Sequence, residues 1–168
     1  ALAMHQQGRV RDALAGYRQA LDVEPGNPSA LNLAGVAHAA LEEWPEAVEK
    51  LVGCVALAPD FADAHGNLAL AYRALGRHEA ALEHQQQVRK LAPGGPGALN
   101  ERGFTLRRLG RYLAALEAFD AAVAGVPGFA DAHANRGNVL QDLDRMDEAA
   151  ASYRWAIEHG GDGPAVTG

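Results

Sequence analysis

The sequence predicts an all-α fold built from repeated antiparallel helix pairs, and three observations support this prediction. Four prolines lie 34 residues apart, at Pro25, Pro59, Pro93 and Pro127. Alanines follow the same step, at Ala13, Ala47, Ala81, Ala115 and Ala149. The string ALAYRALGR at residues 69–77 repeats the pattern of ALAMHQQGR at residues 1–9, two periods earlier. A fixed period of this length is typical of a solenoid, in which each unit buries its apolar face against its neighbours.

The stretch 62–95 shows the elements of one repeat. Apolar side chains at three- and four-residue spacings predict a first helix, helix A, from about Asp63 to Leu75. Gly76 ends this helix, because glycine readily adopts the left-handed conformation found at helix ends. A second apolar stripe from Ala80 to Leu91 predicts helix B, and Pro93 terminates it. Since the turn between them is short, the two helices are antiparallel neighbours.

Small residues recur where the two helices of a repeat come close. Counted from residues 28, 62, 96 and 130, the eighth position of each full repeat holds only glycine or alanine: Gly35, Ala69, Gly103 and Gly137. A larger side chain there would force the helices apart, which typically costs about 1–3 kcal/mol. The small residues are therefore interpreted as a packing device and not as a catalytic signature.

The combined pattern resembles the tetratricopeptide repeat (TPR) family over nearly the whole chain. In the repeat at 96–129 it is carried by small Gly103, by Gly110 in the turn and by the helix B residues Ala115 and Phe119. The resemblance implies an all-α, right-handed superhelical solenoid of about four and a half repeats. Departures from the pattern include Gln85, which stands where the family usually buries an aromatic side chain.

The repeat boundaries predict a single array over residues 1–163. Residues 1–27 hold a partial repeat, in which residues 1–7 are the end of a helix A and a full helix B follows. The full repeats are predicted at 28–61, 62–95, 96–129 and 130–163, with a tail at 164–168.

The resemblance implies that the A helices line a concave groove whose variable positions contact partners. On this chain the residues expected to bind a peptide or partner are Asn32, Asn67, Arg73, Asn100, Glu101, Arg107, Arg108, Asn135, Asn138 and Gln141. Amide side chains both donate and accept, so a row of asparagines can hold the backbone of an extended peptide. The arginines add positive charge, which an acidic segment or a phosphate would bind.

Chaperone-binding members of the family hold a C-terminal carboxylate in a clamp of lysine, arginine and asparagine. The matching positions here are Asn32, Val36, Asn67, Gly97 and Glu101. The clamp is absent, and Glu101 would repel a carboxylate.

Composition argues against several classes of partner and compartment. The net charge of −6 and the pI near 5.6 provide no basic surface for nucleic acid or an anionic membrane. Cys54 is the only cysteine, so no intrachain disulfide forms and a reducing cytoplasm is expected. Thirteen arginines against two lysines indicate the coding bias of a GC-rich bacterial genome.

Neither catalysis nor a bound cofactor is expected. The seven histidines contain no zinc-hydrolase spacing, and no Cys-x-x-Cys or glycine-rich phosphate loop occurs. The histidines are interpreted as packing or surface residues. Trp44, expected in the turn between helices A and B, and Trp155, near the end of the array, are also interpreted as packing residues. The chain is predicted not to be an enzyme.

The leading hypothesis is a non-catalytic scaffold that binds an extended peptide or partner segment in its groove. One alternative is a substrate-recruiting arm of a larger, glycosyltransferase-like enzyme, because the strings at 62–69 and 130–137 resemble repeats of O-linked N-acetylglucosamine transferases. Another is self-assembly through exposed terminal helices. In the last helix B, Tyr153, Ala156 and Ile157 are expected to face the position where a further unit would stack.

Overall fold

The structure is a computed structural model that describes residues 8–92 and 94–159. Within these residues every regular element is an α-helix. The nine helices are α1 Val10–Val23, α2 Pro28–Ala40, α3 Trp44–Leu57, α4 Ala62–Ala74, α5 His78–Leu91, α6 Pro96–Arg108, α7 Tyr112–Gly125, α8 Ala130–Asp142 and α9 Met146–His159. The predicted helix end at 1–7, the terminator Pro93 and the tail at 164–168 lie outside the described residues.

The helix boundaries repeat with the period of the sequence. Helices α2, α4, α6 and α8 are A helices of 13 residues. Helices α1, α3, α5, α7 and α9 are B helices of 14 residues. Each A helix and each B helix starts 34 residues after the previous one of its kind. The prediction of repeated helix pairs is confirmed. Helix A of the repeat at 62–95 begins and ends one residue earlier than expected.

The chain forms two compact units, residues 1–93 and residues 94–168. In the first unit α2 packs against α3 and α4 packs against α5, while α3 also contacts α4 and α1 contacts α2. In the second unit α6 packs against α7 and α8 against α9, and α7 also contacts α8. No helix in the described part of the chain is long and apolar enough to cross a membrane.

Glycines of the A helices receive large side chains of the following B helices. A methyl group on Gly35 would lie 2.5 Å from Cγ of Leu51, and one on Gly103 would lie 2.6 Å from Cε1 of Phe119. Both contacts are closer than real side-chain carbons approach, and Leu51 and Phe119 are fully buried. Gly35 of α2 and Gly103 of α6 therefore accommodate the large side chain sixteen positions later, on α3 and α7.

The turn between helices A and B uses the left-handed backbone conformation at the same repeat position. Gly8, Gly76 and Gly110 have φ between 70° and 75°. Glu42 and Asp144 have φ of 60° and 57° at the two equivalent positions that lack glycine. The left-handed residue thus recurs two positions before each of the five described B helices, whichever residue type occupies it.

Two expectations about single residues are wrong. Trp44 lies not in the turn but at the first position of α3, where it packs half-buried against the core cluster that includes Leu51 and Leu68. Tyr153 does not face the position of a further unit, since its ring packs against Gly137 of its own helix pair.

Candidate partner-binding surface

The predicted binding residues lie on the A helices of both units. The first unit holds Asn32 on α2 and Asn67 and Arg73 on α4. The second unit holds the remaining seven: Asn100, Glu101, Arg107 and Arg108 on α6 and Asn135, Asn138 and Gln141 on α8.

The four asparagines form two equivalent hydrogen-bonded pairs, one in each unit. Asn67 Nδ2 donates to Asn32 Oδ1 at 3.0 Å, and Asn135 Nδ2 donates to Asn100 Oδ1 at 3.0 Å. Each bond joins neighbouring A helices. Asn32 and Asn100 are buried, with exposed fractions of 9% and 8%. Asn67 and Asn135 are half-exposed. Each pair therefore presents one amide to solvent, and the buried asparagine supports it.

A shallow depression adjoins the first of these pairs. It has a volume of about 460 Å³ and is lined by Asn32, Ala62, Asp63, Gly66, Asn67, Val88 and Ala92. Its walls combine the amide pair with one carboxylate and the apolar end of α5. Such a surface offers a hydrogen-bonding edge next to an apolar one, which suits an extended segment with alternating side chains.

Two histidines fix the start of the helices that carry the exposed asparagines. His65 Nε2 donates to the carbonyl of Pro59 at 3.0 Å, and His133 Nε2 donates to the carbonyl of Pro127 at 3.1 Å. The residues are 68 positions apart and occupy the same place in their units. From the sequence both were expected only to be packing or surface residues, although the shared string ADAH at 62–65 and 130–133 was a signal of a common role.

The two units differ in what surrounds these histidines. In the first unit Nδ1 of His65 lies 2.9 Å from Nδ1 of His84, and the ring of Tyr72 stacks on His84. In the second unit His133 stacks on Trp155 with ring centres 3.7 Å apart, and His159 also stacks on Trp155 with ring centres 4.0 Å apart. Trp155 is therefore a packing residue, as expected from the sequence.

The arginines contribute less free charge than the sequence led us to expect. Arg107 makes a bidentate ion pair with Asp142, with Nε at 2.5 Å and Nη2 at 3.2 Å. This hydrogen bond raises the pKa of Arg107. Burial lowers the pKa of the half-buried Arg73, and Arg108 is exposed. Because Asp142 neutralises Arg107, an acidic partner gains little from it.

Tyr153, which was expected to face a further unit, contacts two of the predicted binding residues. The Tyr153 hydroxyl donates to Asn138 Oδ1 at 2.8 Å and lies 3.2 Å from Gln141 Oε1. Nothing in the sequence pattern distinguishes this residue from a core aromatic, because the family pattern already places an aromatic there. Glu101, the other predicted residue of this unit, is exposed on α6.

The described residues contain no group of three or more histidine, cysteine, aspartate or glutamate side chains placed to hold a metal ion. Cys54 is buried in α3, where burial raises the pKa of its thiol. The thiol donates to the carbonyl of Pro28 at 3.2 Å. A protonated, buried thiol is a poor nucleophile, so Cys54 packs between helices.

Comparisons with known proteins agree with this geometry. A family model described as Tetratricopeptide repeat matches residues 6–52 and 101–164, and a second one of the same description matches residues 62–94. The TPR repeat-containing thioredoxin TTL4 of Arabidopsis thaliana is 36% identical over 81 residues, which are 48% of this chain and 12% of that protein. The chain thus spans about an eighth of the length of this relative.

Solved structures of low sequence identity share the fold. A crystal structure of MamA superposes with a TM-score of 0.88 at 23% identity, covering 95% of this chain and 94% of that one. MamA 41-end from Desulfovibrio magneticus RS-1 gives 0.92 at 20% identity, covering 98% and 93%. YrrB, described as a TPR protein with an unusual peptide-binding site, gives 0.85 at 24% identity, covering 95% and 82%.

Proposed function

The chain belongs to the tetratricopeptide repeat family, and from this premise we propose that it is a non-catalytic scaffold that binds an extended peptide or partner segment through its A helices. The observation that carries the proposal is the pair of equivalent amide contacts, Asn32 with Asn67 and Asn100 with Asn135. A buried asparagine costs stability unless it is hydrogen-bonded. Here each buried asparagine accepts a hydrogen bond from the half-exposed asparagine of the next A helix. Because this arrangement recurs in both units, we interpret it as a support that orients the half-exposed amide for a partner.

The proposed contact is with peptide backbone. An amide side chain has one acceptor oxygen and two donor hydrogens, which match the carbonyl and N–H groups that an extended segment displays along its edge. Asn67 and Asn135 each use one donor hydrogen within the protein and keep the oxygen and the second hydrogen for a partner. Backbone recognition of this kind tolerates many side chains. We therefore expect a protein or peptide partner, and neither nucleic acid nor membrane.

The setting proposed for this activity is the cytoplasm of a bacterium. The excess of arginine over lysine and the single buried cysteine support it. A neighbour in structure, MamA from Desulfovibrio magneticus, is also bacterial.

A second candidate is a recruiting arm of a larger enzyme. The observation that favours it is the length of the matched relatives, in which the similar segment makes up only 12% of a TPR repeat-containing thioredoxin. In that case the same surface would hold a substrate protein for a catalytic domain, glycosyltransferase-like in our reading of the strings at 62–69 and 130–137. The two candidates share the binding surface and differ in what the rest of the protein does.

The experiment that tests the scaffold proposal is peptide selection followed by affinity measurement. Peptides selected on the wild-type protein from a random display library would be titrated against the wild type and against Asn67→Ala combined with Asn135→Ala. We expect the double variant to bind at least about tenfold more weakly, since each lost hydrogen bond is worth about 1 kcal/mol.

Gln86→Ala is the matched control, because Gln86 is an exposed amide on the B helix α5. It should leave the affinity unchanged. If the selected peptides bind the asparagine double variant as tightly as the wild type, the proposal is wrong.

A further inference from the structure

We infer that Tyr153 is a positioning residue of the binding surface, which holds the amide oxygens of Asn138 and Gln141 so that their NH2 groups remain the donors offered to a partner. This inference rests on the proposed function, and it narrows the partner chemistry to hydrogen-bond acceptors in this part of the second unit.

Packing alone does not require the Tyr153 hydroxyl. The Tyr153 ring fills the space over Gly137, where an added methyl group would lie 2.6 Å from Cε1. The preceding repeat makes the same contact between Phe119 and Gly103, also at 2.6 Å, with a side chain that has no hydroxyl. The phenylalanine is fully buried there. The hydroxyl of Tyr153 is therefore an addition to an interaction that is complete without it.

The hydroxyl determines which atoms of the Asn138 and Gln141 amides are available to a partner. It donates to Asn138 Oδ1 at 2.8 Å and lies 3.2 Å from Gln141 Oε1, one turn further along α8. Among the described residues, Tyr153 is the hydrogen-bond partner of both side chains. The hydroxyl has one hydrogen, which the two oxygens share, so both oxygens face Tyr153. The two NH2 groups therefore point away from the tyrosine and are the donors that a partner meets.

The charges nearby select the kind of acceptor. Asp131 is an exposed carboxylate on α8, and Asp142, next to Gln141, is already paired with Arg107. A carboxylate ligand would therefore gain no unpaired cation from Arg107. Neutral carbonyl oxygens, such as those along the backbone of an extended segment, suit the two NH2 groups instead.

The test is Tyr153→Phe, which copies the residue used at the equivalent position of the preceding repeat. The probe is an N-acetylated, C-amidated serine–threonine peptide, which carries backbone carbonyls and no charge. We expect the affinity to fall about three- to tenfold, the worth of one to two weakened hydrogen bonds. The side-chain NH2 cross-peaks of Asn138 and Gln141 should shift in ¹⁵N spectra of the free protein, while the melting temperature stays nearly the same.

Tyr72→Phe is the control, since it removes the same hydroxyl from an aromatic of the first unit that contacts His84 and Arg77. It should change neither the affinity nor those cross-peaks. Asn138→Ala completes a double-mutant cycle with Tyr153→Phe. If Tyr153 acts through the amide, the two losses of affinity do not add.

The outcomes separate this inference from the proposed function. If the wild type binds selected charged peptides but no uncharged one, the inferred preference for neutral acceptors is overturned while the scaffold proposal stands. If the wild type binds no peptide at all, the scaffold proposal fails, and the NH2 cross-peaks alone decide whether Tyr153 positions the amides. If those cross-peaks stay in place in Tyr153→Phe, the inference is overturned. Equal affinity of the variant and the wild type for a peptide that does bind also overturns it.

Discussion

At the scale of single residues, the turn between helices A and B shows how one backbone conformation is met by different side chains. Gly8, Gly76 and Gly110 adopt positive φ without steric cost, because glycine lacks a Cβ atom. Glu42 and Asp144 adopt the same conformation against the preference of residues that carry one. The repeat pattern enforces the turn, and these two residues bear the strain.

Replacing either strained residue with glycine should stabilise the protein. We expect Glu42→Gly and Asp144→Gly each to raise the free energy of unfolding by up to about 1 kcal/mol, as measured by urea denaturation. Gly76→Ala, which forces a Cβ atom into the same conformation, should lower it by about 1 kcal/mol. Glycine variants that destabilise as much as Gly76→Ala would contradict this assignment of strain.

Two glycines of α6 should respond in opposite ways to the same substitution. A methyl group on Gly103 would collide with the Phe119 ring, so Gly103→Ala should destabilise by about 1–3 kcal/mol. Nothing lies within 4 Å of the position a methyl group would take on Gly97, so Gly97→Ala should be neutral or stabilise by up to about 1 kcal/mol. Calorimetric melting of both variants checks this, and equal destabilisation would show that the close contact is not what selects glycine.

At the scale of helices, the α4–α5 pair contains a contact that depends on pH. His65 uses its Nε2 hydrogen for the carbonyl of Pro59, so in the neutral pair its Nδ1 accepts the hydrogen on Nδ1 of His84. Burial, and then the charge of His65, lower the pKa of His84 below its usual 6.5, and Glu83 partly opposes this. The unfolded chain therefore takes up a proton at His84 more readily than the folded protein does.

This difference sets the sign of the expected pH dependence. As the pH falls below about 6.5, the unfolded state binds more protons at His84 than the native state, so the stability should fall. In His84→Ser, which introduces the residue found at the equivalent Ser152, the loss of stability between pH 7 and pH 5 should be smaller. Melting temperatures across this range test the prediction, and it is wrong if the variant loses as much stability as the wild type.

Most of the helical architecture could be predicted from the sequence, because it follows from periodic burial. The apolar stripes predicted helix A of the repeat at 62–95 to span about 63–75, and the helix lies at Ala62–Ala74. Gly76 was predicted to end that helix, and it occupies the left-handed turn. Glu42 was not recognised as a turn residue, since its type does not favour positive φ. Trp44 was predicted to lie in the turn between helices A and B. It is instead the first residue of α3, one position past the turn.

At the scale of the whole molecule, the candidate site was harder to predict than the fold. The sequence placed the ten binding residues on A helices, where the structure has them. It did not predict that Asn32 is buried beneath Asn67 or that Asp142 neutralises Arg107. Those contacts join residues of neighbouring A helices, 35 positions apart, and depend on the offset between the helices. A pattern read within one repeat does not contain that offset.

Self-association through the terminal helices stays a prediction. Among the described large apolar side chains, Val23 of α1 and Ile157 of α9 have the largest exposed fractions, 88% and 79%. We expect sedimentation velocity to show concentration-dependent association of the wild-type chain, because contact between these helices would cover the two side chains. The variant Val23→Asp combined with Ile157→Asp should sediment as a monomer. A wild-type chain that stays monomeric over a wide concentration range would contradict the prediction.

The central claim is that the exposed amides of the A helices form the surface that binds a partner. Its most direct test is the ¹⁵N spectrum of the protein titrated with a selected peptide, read at the side-chain NH2 groups. We predict that the cross-peaks of Asn67 and Asn135 shift with the peptide, while those of Gln86 on α5 stay in place. Shifts confined to amides of the B helices, with Asn67 and Asn135 unaffected, would contradict the account.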